Sequence, residues 1–314
     1  MKKYIGLLVI LISAQAIAQK KTQRELTPAR GHYLQLQKFN PGPVGSNAVD
    51  NLKFPFDAAS AERRLSLKPI YLTNVKVEDF KIPDPPANSS EQTRAELNYL
   101  LGLQVHRTDL DEKTSLFMAD VYYNARTTPA DTNYSRYRSN LFFIGRSVGN
   151  WFTPENLPVT ADFMARVWQD AGYFIWTMKY KYLRIRPVVI DSAIHNLEDT
   201  NWAAYPSGHA ANSYINAYIY SELGPDFTDI FIKDAYDMAH SREIIGVHYP
   251  SDSEASRMFA RQFVNKLFEN EKFVADFSKV KEEWAYKAKE TFIKPLPGEG
   301  KEKKKSSCAK TCDE

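Results

Sequence analysis

Cysteine is nearly absent: Cys308 and Cys312 are the only two in 314 residues, and both fall in the last seven positions. So few thiols cannot frame a chain this long with disulfides, and a four-cysteine zinc site is excluded. A surplus of one charge is lacking too. Lys and Arg total 41 against 38 Asp and Glu, and a formal +3 is too small for a nucleic-acid footprint. Any anion chemistry must therefore come from a local gathering of cations. Beyond the first eighteen residues there is no long apolar run, which argues against a multi-pass membrane protein. Period-two alternation and Asn-Gly or Asp-Gly hairpin turns are also missing, which argues against a β architecture.

What is present is ordinary for a folded chain: 43% apolar and 25% charged residues. The N-terminus reads Met1-Lys2-Lys3, an apolar run from Tyr4 to Ile12, and Ala16-Ile17-Ala18 ahead of Gln19. A basic flank, a short apolar run and a small-x-small site predict a secretory signal peptide over 1–18, cleaved after Ala18. A buried hydrophobic helix is the structural alternative. The run is too short to cross a bilayer, and no cysteine follows the cleavage site to take a lipid. A periplasmic or secreted protein without stable membrane insertion is expected.

Residues 19–64, polar and broken by Pro41-Gly42-Pro43, read as an extended or partly ordered N-terminal arm. Residues 65–290 read as the folded domain, and 291–314 as a Lys-rich tail. After the breaker Pro83-Asp84-Pro85-Pro86, Ser89 and Gln92 have capping-box spacing and predict a helix start. Phe163, Val167, Ala171, Phe174, Met178 and Tyr182 recur at steps of three and four, the core stripe of a helix over Thr160 to Tyr182. A helix is predicted from Ala210 to Leu223, stopped by Gly224-Pro225. A third should be capped by Asp226 and run to about His240. A fourth should start near Ser251 with Ala255, Phe259, Phe263 and Leu267 inward. The expectation is one all-α domain without internal repeats.

Three segments gather basic and imidazole groups at breaks between these helices. The first runs from Lys179 to Pro187; Pro187 biases Arg186 out of helical conformation, so Lys179 and Arg186 should lie on a turn. Cations at a helix C-terminus also suit the macrodipole with no further role. The second is Tyr205-Pro206-Ser207-Gly208-His209, where a glycine at a helix start lets backbone amides approach an anion. Ser207 serves equally well as a plain N-cap. The third runs from Ser241-Arg242 to His248 and Asp252: Arg242 offers a planar fork for phosphate oxygens, and Asp252 can fix the His248 tautomer or simply cap the next helix.

Together the segments match a tripartite pattern: Lys-x6-Arg-Pro (Lys179, Arg186, Pro187), Pro-Ser-Gly-His (Pro206 to His209) and Ser-Arg-x5-His-x3-Asp (Ser241, Arg242, His248, Asp252). In this the chain resembles the superfamily of type 2 phosphatidic acid phosphatases, bacterial nonspecific acid phosphatases and vanadium-dependent haloperoxidases. The similarity reaches from Tyr71 to about Phe277. The Pro-Pro region and Leu116-Phe117-Met118-Ala119-Asp120 look like the soluble class A bacterial acid phosphatases. The chain departs from the class A pattern at Ala203-Ala204 before Tyr205 and at Ala210 after His209.

The resemblance implies an all-α acid phosphatase that hydrolyses small-molecule phosphate monoesters without a metal or other cofactor. Lys179, Arg186, Ser207, Gly208 and Arg242 would bind phosphate. His248 would be the nucleophile of a phosphohistidine intermediate, Asp252 would orient it, and His209 would act as general acid and base. Vanadate is expected as an inhibitor. A vanadium-dependent haloperoxidase, with vanadate as cofactor, is the alternative; a lipid phosphate phosphatase and a noncatalytic phosphate-binding protein are further ones. A homo-oligomer is compatible with the sequence, and a nucleic-acid partner is not expected. His32, His106, His195 and His240 fit no part of the pattern and are expected to be structural or solvent-facing. Lys181 and Arg184 are expected at a solvated rim, and Tyr180, Tyr182 and Tyr205 either in the pocket wall or in the core.

Overall fold

The computed structural model describes residues 48–292, so the signal-peptide expectation, most of the arm including His32, and the tail with Cys308 and Cys312 lie outside the described residues. Among the described residues the structure is helical and contains no strand. In chain order the helices are α1 (Ala58–Leu65), α2 (Glu91–His106), α3 (Asp109–Ala119), α4 (Tyr134–Asn140), α5 (Pro158–Tyr182), α6 (Pro187–Ile190), α7 (Gly208–Leu223), α8 (Thr228–Ile244), α9 (Pro250–Phe268) and α10 (Glu271–Phe292). None is long and apolar enough to cross a membrane.

The core is built around α7, which packs against α8, α9 and α5. From Ala210 to Tyr220 nearly every position of α7 is buried, including small residues such as Ala210, Ala211 and Ala217 that let neighbouring helices approach. Its start is as the sequence predicts within two residues, and it stops at Gly224 ahead of Pro225. The stripe on α5 is also as predicted: Phe163, Val167, Ala171, Phe174 and Met178 are buried, while Tyr182 at the last turn is half-buried. Phe259, Phe263 and Leu267 of α9 close the same core, and Ala255 is buried as well. Aromatic rings bridge the helices edge to face: Phe80 lies 5.1 Å from Phe174 and 4.9 Å from Phe259.

Buried polar groups pin the loops to this frame. The Asp170 carboxylate accepts from the backbone amides of Ile70, Tyr71 and Leu72 at 2.5 to 2.9 Å, and so ties the segment before α2 to the middle of α5. Glu283 of α10 accepts from the amides of Val159 and Thr160, both at 2.8 Å, where the α5 N-terminus would otherwise leave them without partners.

Several local expectations shift. The cap of α2 is Ser90, whose hydroxyl accepts from the Thr93 amide at 3.1 Å. Ser89 instead donates its amide and hydroxyl to Asp50, 2.8 and 2.6 Å away, and Gln92 reaches Glu96. Asp226 does not cap α8; it sits in a short 3-10 turn, Pro225–Phe227, made possible by Pro225 at its first position. Helix α8 then continues past His240 to Ile244, so Ser241 and Arg242 lie in its last turn rather than beyond its end. The stretch expected as arm contains α1, built from good helix formers and capped by Asp57, whose carboxylate accepts from Ala59 and Ser60. No apolar period announced it.

Candidate active site

The three segments converge. Lys179, Arg186, Gly208, His209, Arg242 and His248 line one cavity of about 580 Å³, a size suited to a small organic ligand. Lys179 is in the last turn of α5, not on a turn as expected, because the helix continues to Tyr182 and breaks at Leu183 in the left-handed region (φ 51°). Arg186 is extended, as Pro187 requires. Gly208 opens α7, Ser207 caps it, and the Ser207 amide donates to the Asp252 carbonyl at 3.3 Å, which joins the second segment to the third. Ser256 reinforces the joint by donating to the carbonyls of Ser207 and Asp252.

Lys179, Arg186 and Arg242 are all buried, and their donors are arranged unequally. Lys179 Nζ donates to the carbonyls of Ala203 (2.8 Å) and Ala204 (3.3 Å), which leaves one of its N–H groups unengaged. Arg186 donates to the carbonyls of Trp202 (3.1 Å) and Val247 (2.6 Å) and to His248 Nε2 (3.1 Å). Arg242 is held by Glu198 through Nη2, while its Nε and Nη1 are buried without any partner. Burial and then the Arg186 charge lower Lys179 well below its usual value, and burial, against the raising effect of Asp252, brings Arg186 down to about 10. An anion entering the cavity would meet unpaired donors and relieve mutual repulsion.

His248 Nδ1 lies 3.0 Å from Asp252 Oδ2, and that same oxygen accepts from the Tyr249 amide at 3.0 Å. Asp252 is ionised, so Nδ1 carries the proton and Nε2 is left with a lone pair. That lone pair accepts from Arg186 Nη1. Burial would raise Asp252, but Arg184 and His248 outweigh it and hold the carboxyl below the usual range. His248 and His209 are both lowered well below an ordinary histidine, first by burial and then by the nearby cations. His209 Nε2 faces the Ala119 carbonyl at 3.0 Å and therefore carries a hydrogen. Asp252 thus does two things at once: from the third position of α9 it satisfies the Tyr249 amide at the helix start, and it orients His248. Ser207 is buried as an N-cap and does not line the cavity.

Arg184 corrects the sequence reading. It is buried, not at the rim: Nη1 meets Asp252 Oδ1 at 2.5 Å and Ser251 Oγ at 2.8 Å, and Nη2 meets Glu96 Oε2 at 3.3 Å. Its guanidinium also lies over the Tyr249 ring at 3.8 Å. Glu96, from α2, accepts the Ser251 amide and hydroxyl, both at 2.9 Å, and so anchors the start of α9. Lys181 is exposed as expected. Of the two places the sequence allows for Tyr180, Tyr182 and Tyr205, none takes the cavity wall. Tyr205 is buried against Tyr182 and donates to the Pro83 carbonyl, and Tyr180 packs on Phe56 and Trp176. The aromatic wall comes instead from Tyr122, Tyr123, Tyr173, Trp168, Trp176 and Trp202. Ala119 and Asp120, from the stretch singled out in sequence, do line the cavity. His106 and His195 are exposed; His240 is half-buried and stacks on Tyr236 beside Glu243.

No protein-family model matches the chain. It is 33% identical over 148 residues to a non-specific acid phosphatase of Providencia stuartii, covering 45% of this chain and 60% of that protein. Over 142 residues it is 29% identical to a non-specific acid phosphatase of Salmonella typhi, covering 43% and 57%. The match thus spans less than two thirds of these relatives' length. Among solved structures, a bacterial vanadium-dependent iodoperoxidase superposes with a TM-score of 0.52 at 17% identity, over 77% of this chain and 65% of that one. That likeness concerns the fold alone. The described residues are thus all-α, similar in sequence over the matched part to non-specific acid phosphatases and in helical fold to a vanadium-dependent iodoperoxidase.

Proposed function

We propose that this chain is a metal-independent acid phosphatase that hydrolyses small-molecule phosphate monoesters through a phosphohistidine at His248. One observation supports this reading most directly: the His248 Nδ1 contact to Asp252, 3.0 Å long, orients Nε2 into a cavity bordered by Lys179, Arg186 and Arg242. The three cations and the Gly208 amide would bind the phosphoryl oxygens and stabilise the charge that grows on them. As those oxygens recruit Arg186, Nε2 is released from its contact and attacks phosphorus. A P–N bond forms, the ester P–O bond breaks, and the leaving oxygen takes a proton from His209. Water then attacks phosphorus, the P–N bond breaks, and the water proton returns to His209. The negative charge of bound phosphate favours the protonated His209 that the first step needs. The secretory leader read at 1–18 belongs with a periplasmic or secreted enzyme. Purified protein should hydrolyse aryl phosphates in excess chelator, and His248→Ala should abolish turnover. Unchanged turnover in that variant rejects the nucleophile, and vanadate-dependent halide oxidation without phosphatase activity rejects the reaction.

A further inference from the structure

The cavity extends beyond what a phosphoryl group needs, and its outer part carries a second set of cations. Arg63 and Arg64 at the end of α1 and Arg126 in the loop after α3 line the same cavity as the inner cradle. None of the three is paired with a carboxylate among the described residues. Arg64 lies flat over Trp176 at 4.3 Å and is 5.7 Å from the Trp202 ring. Stacking engages the face of a guanidinium and leaves its edge donors free, and Arg64 Nε is buried with no partner. Burial and the charges of Arg63 and Arg126 lower Arg64 below its ordinary value, so the group is held against repulsion that an anion would relieve.

Part of this arrangement has a structural role. Arg126 Nη2 donates to the Arg63 carbonyl at 2.7 Å and to Ser66 Oγ, which finishes α1, and cations suit a helix C-terminus. That role accounts for one nitrogen of Arg126 and for none of the side-chain donors of Arg63 or Arg64. The acidic residues in the cavity wall are Asp120 and Glu198, and Glu198 is already on Arg242. The distance between the two cation sets is short. Trp176 and Lys179 are three residues apart on α5, with neighbouring side chains about 5–6 Å apart at Cβ, and Arg64 stacks on that tryptophan.

We infer that Arg63 and Arg64 form a second anion subsite, so that the substrate is a phosphate monoester whose leaving group holds an aromatic ring and a further phosphate, as in a nucleoside bisphosphate. This rests on the phosphatase reading of the inner cradle and adds to it a choice of leaving group. The ring would lie against the tryptophans and tyrosines of the wall, and the second phosphate would meet the edges of Arg63 and Arg64.

The matched pair adenosine 3′,5′-bisphosphate and adenosine 5′-monophosphate tests it on the full chain. At low salt, kcat/KM for the bisphosphate should exceed that for the monophosphate by about tenfold, the order of one charge-assisted hydrogen bond. Arg63→Gln with Arg64→Gln should bring the ratio near one, while Arg63→Lys with Arg64→Lys should keep most of it. Equal kcat/KM in the wild type, or a ratio unchanged in the glutamine variant, overturns the subsite. If neither nucleotide is hydrolysed, the phosphatase reading has failed separately. Calorimetric binding of the same two nucleotides to the wild type and the glutamine variant then decides the subsite by the same ratio.

Discussion

Arg184 Nη1 meets Asp252 Oδ1 at 2.5 Å, on the carboxylate whose other oxygen faces His248. The pair sits behind the imidazole, sealed from solvent and backed by Glu96. Arg184 thus fixes the rotation of Asp252 and keeps it ionised, and through it the His248 tautomer. It is a positioning residue, since it touches none of the groups that would bear the phosphoryl oxygens.

Arg184→Gln should lower kcat more than it raises KM. It should also cost about 3–5 kcal/mol of stability, because it leaves Glu96 and Asp252 buried without their cation. A purely structural role would alter stability and leave the pH profile in place. Loss of the Arg184 charge raises Asp252, so the acidic limb of the pH–rate profile should move upward, which steady-state rates across pH read directly.

Gly208 separates binding from folding. A Cβ there would meet only Ile175 Cγ2, at 3.9 Å, an ordinary contact, so the protein's own atoms do not demand glycine. Glycine lies at the first turn of α7 and borders the cavity. Gly208→Ala should leave stability unchanged or raise it by up to ~1 kcal/mol, yet lower kcat/KM at least tenfold by crowding the phosphoryl site. Thermal denaturation and kinetics on one preparation give both numbers. A stable variant with full activity shows that no anion approaches this amide.

The ligand-free protein should lose stability as pH falls from 7 to 5. His209 and His248 have folded-state values well below the ordinary ~6.5. Below that pH the unfolded chain takes up protons that the folded chain refuses, and stability drops by up to ~1.4 kcal/mol per pH unit for each group. Asp252, depressed in the folded state, contributes stability that persists until pH falls through its own low value. Glu96 is raised by burial and acts in the opposite sense, so the slope difference between proteins is the readout. His248→Asn should flatten the decline in melting temperature, and saturating phosphate should do the same for the wild type. An unchanged slope in His248→Asn contradicts the assignment.

Much of this was legible in the sequence, and the gaps have physical reasons. The stripes on α5 and α9 and the stop of α7 at Gly224-Pro225 follow from apolar spacing and breakers, which are local signals. Lys179, Arg186, Gly208, His209, Arg242 and His248 stand out through their motifs, and the fold brings them to one cavity. Arg184 reads as a rim residue in the sequence because its direction depends on the left-handed turn at Leu183, which a run of alternating basic residues does not reveal. Glu96 and Glu198 come from segments with no motif of their own and acquire meaning only through contacts across the fold. The cavity's aromatic wall does not come from the tyrosines next to the motifs, for which the sequence allows either wall or core. It is supplied by α5, the loop after α3 and, through Trp202, the loop before α7, and helix rotation decides which α5 rings face inward.

The covalent state of His248 tests the account most directly. During turnover of an aryl phosphate, a millisecond quench into alkali should trap a phosphoryl group that is stable to base and labile to acid. Mass mapping should place it on His248, and it should be absent from His248→Ala. A trapped phosphoryl group on another residue, or labelled turnover that continues in His248→Ala, would contradict the account.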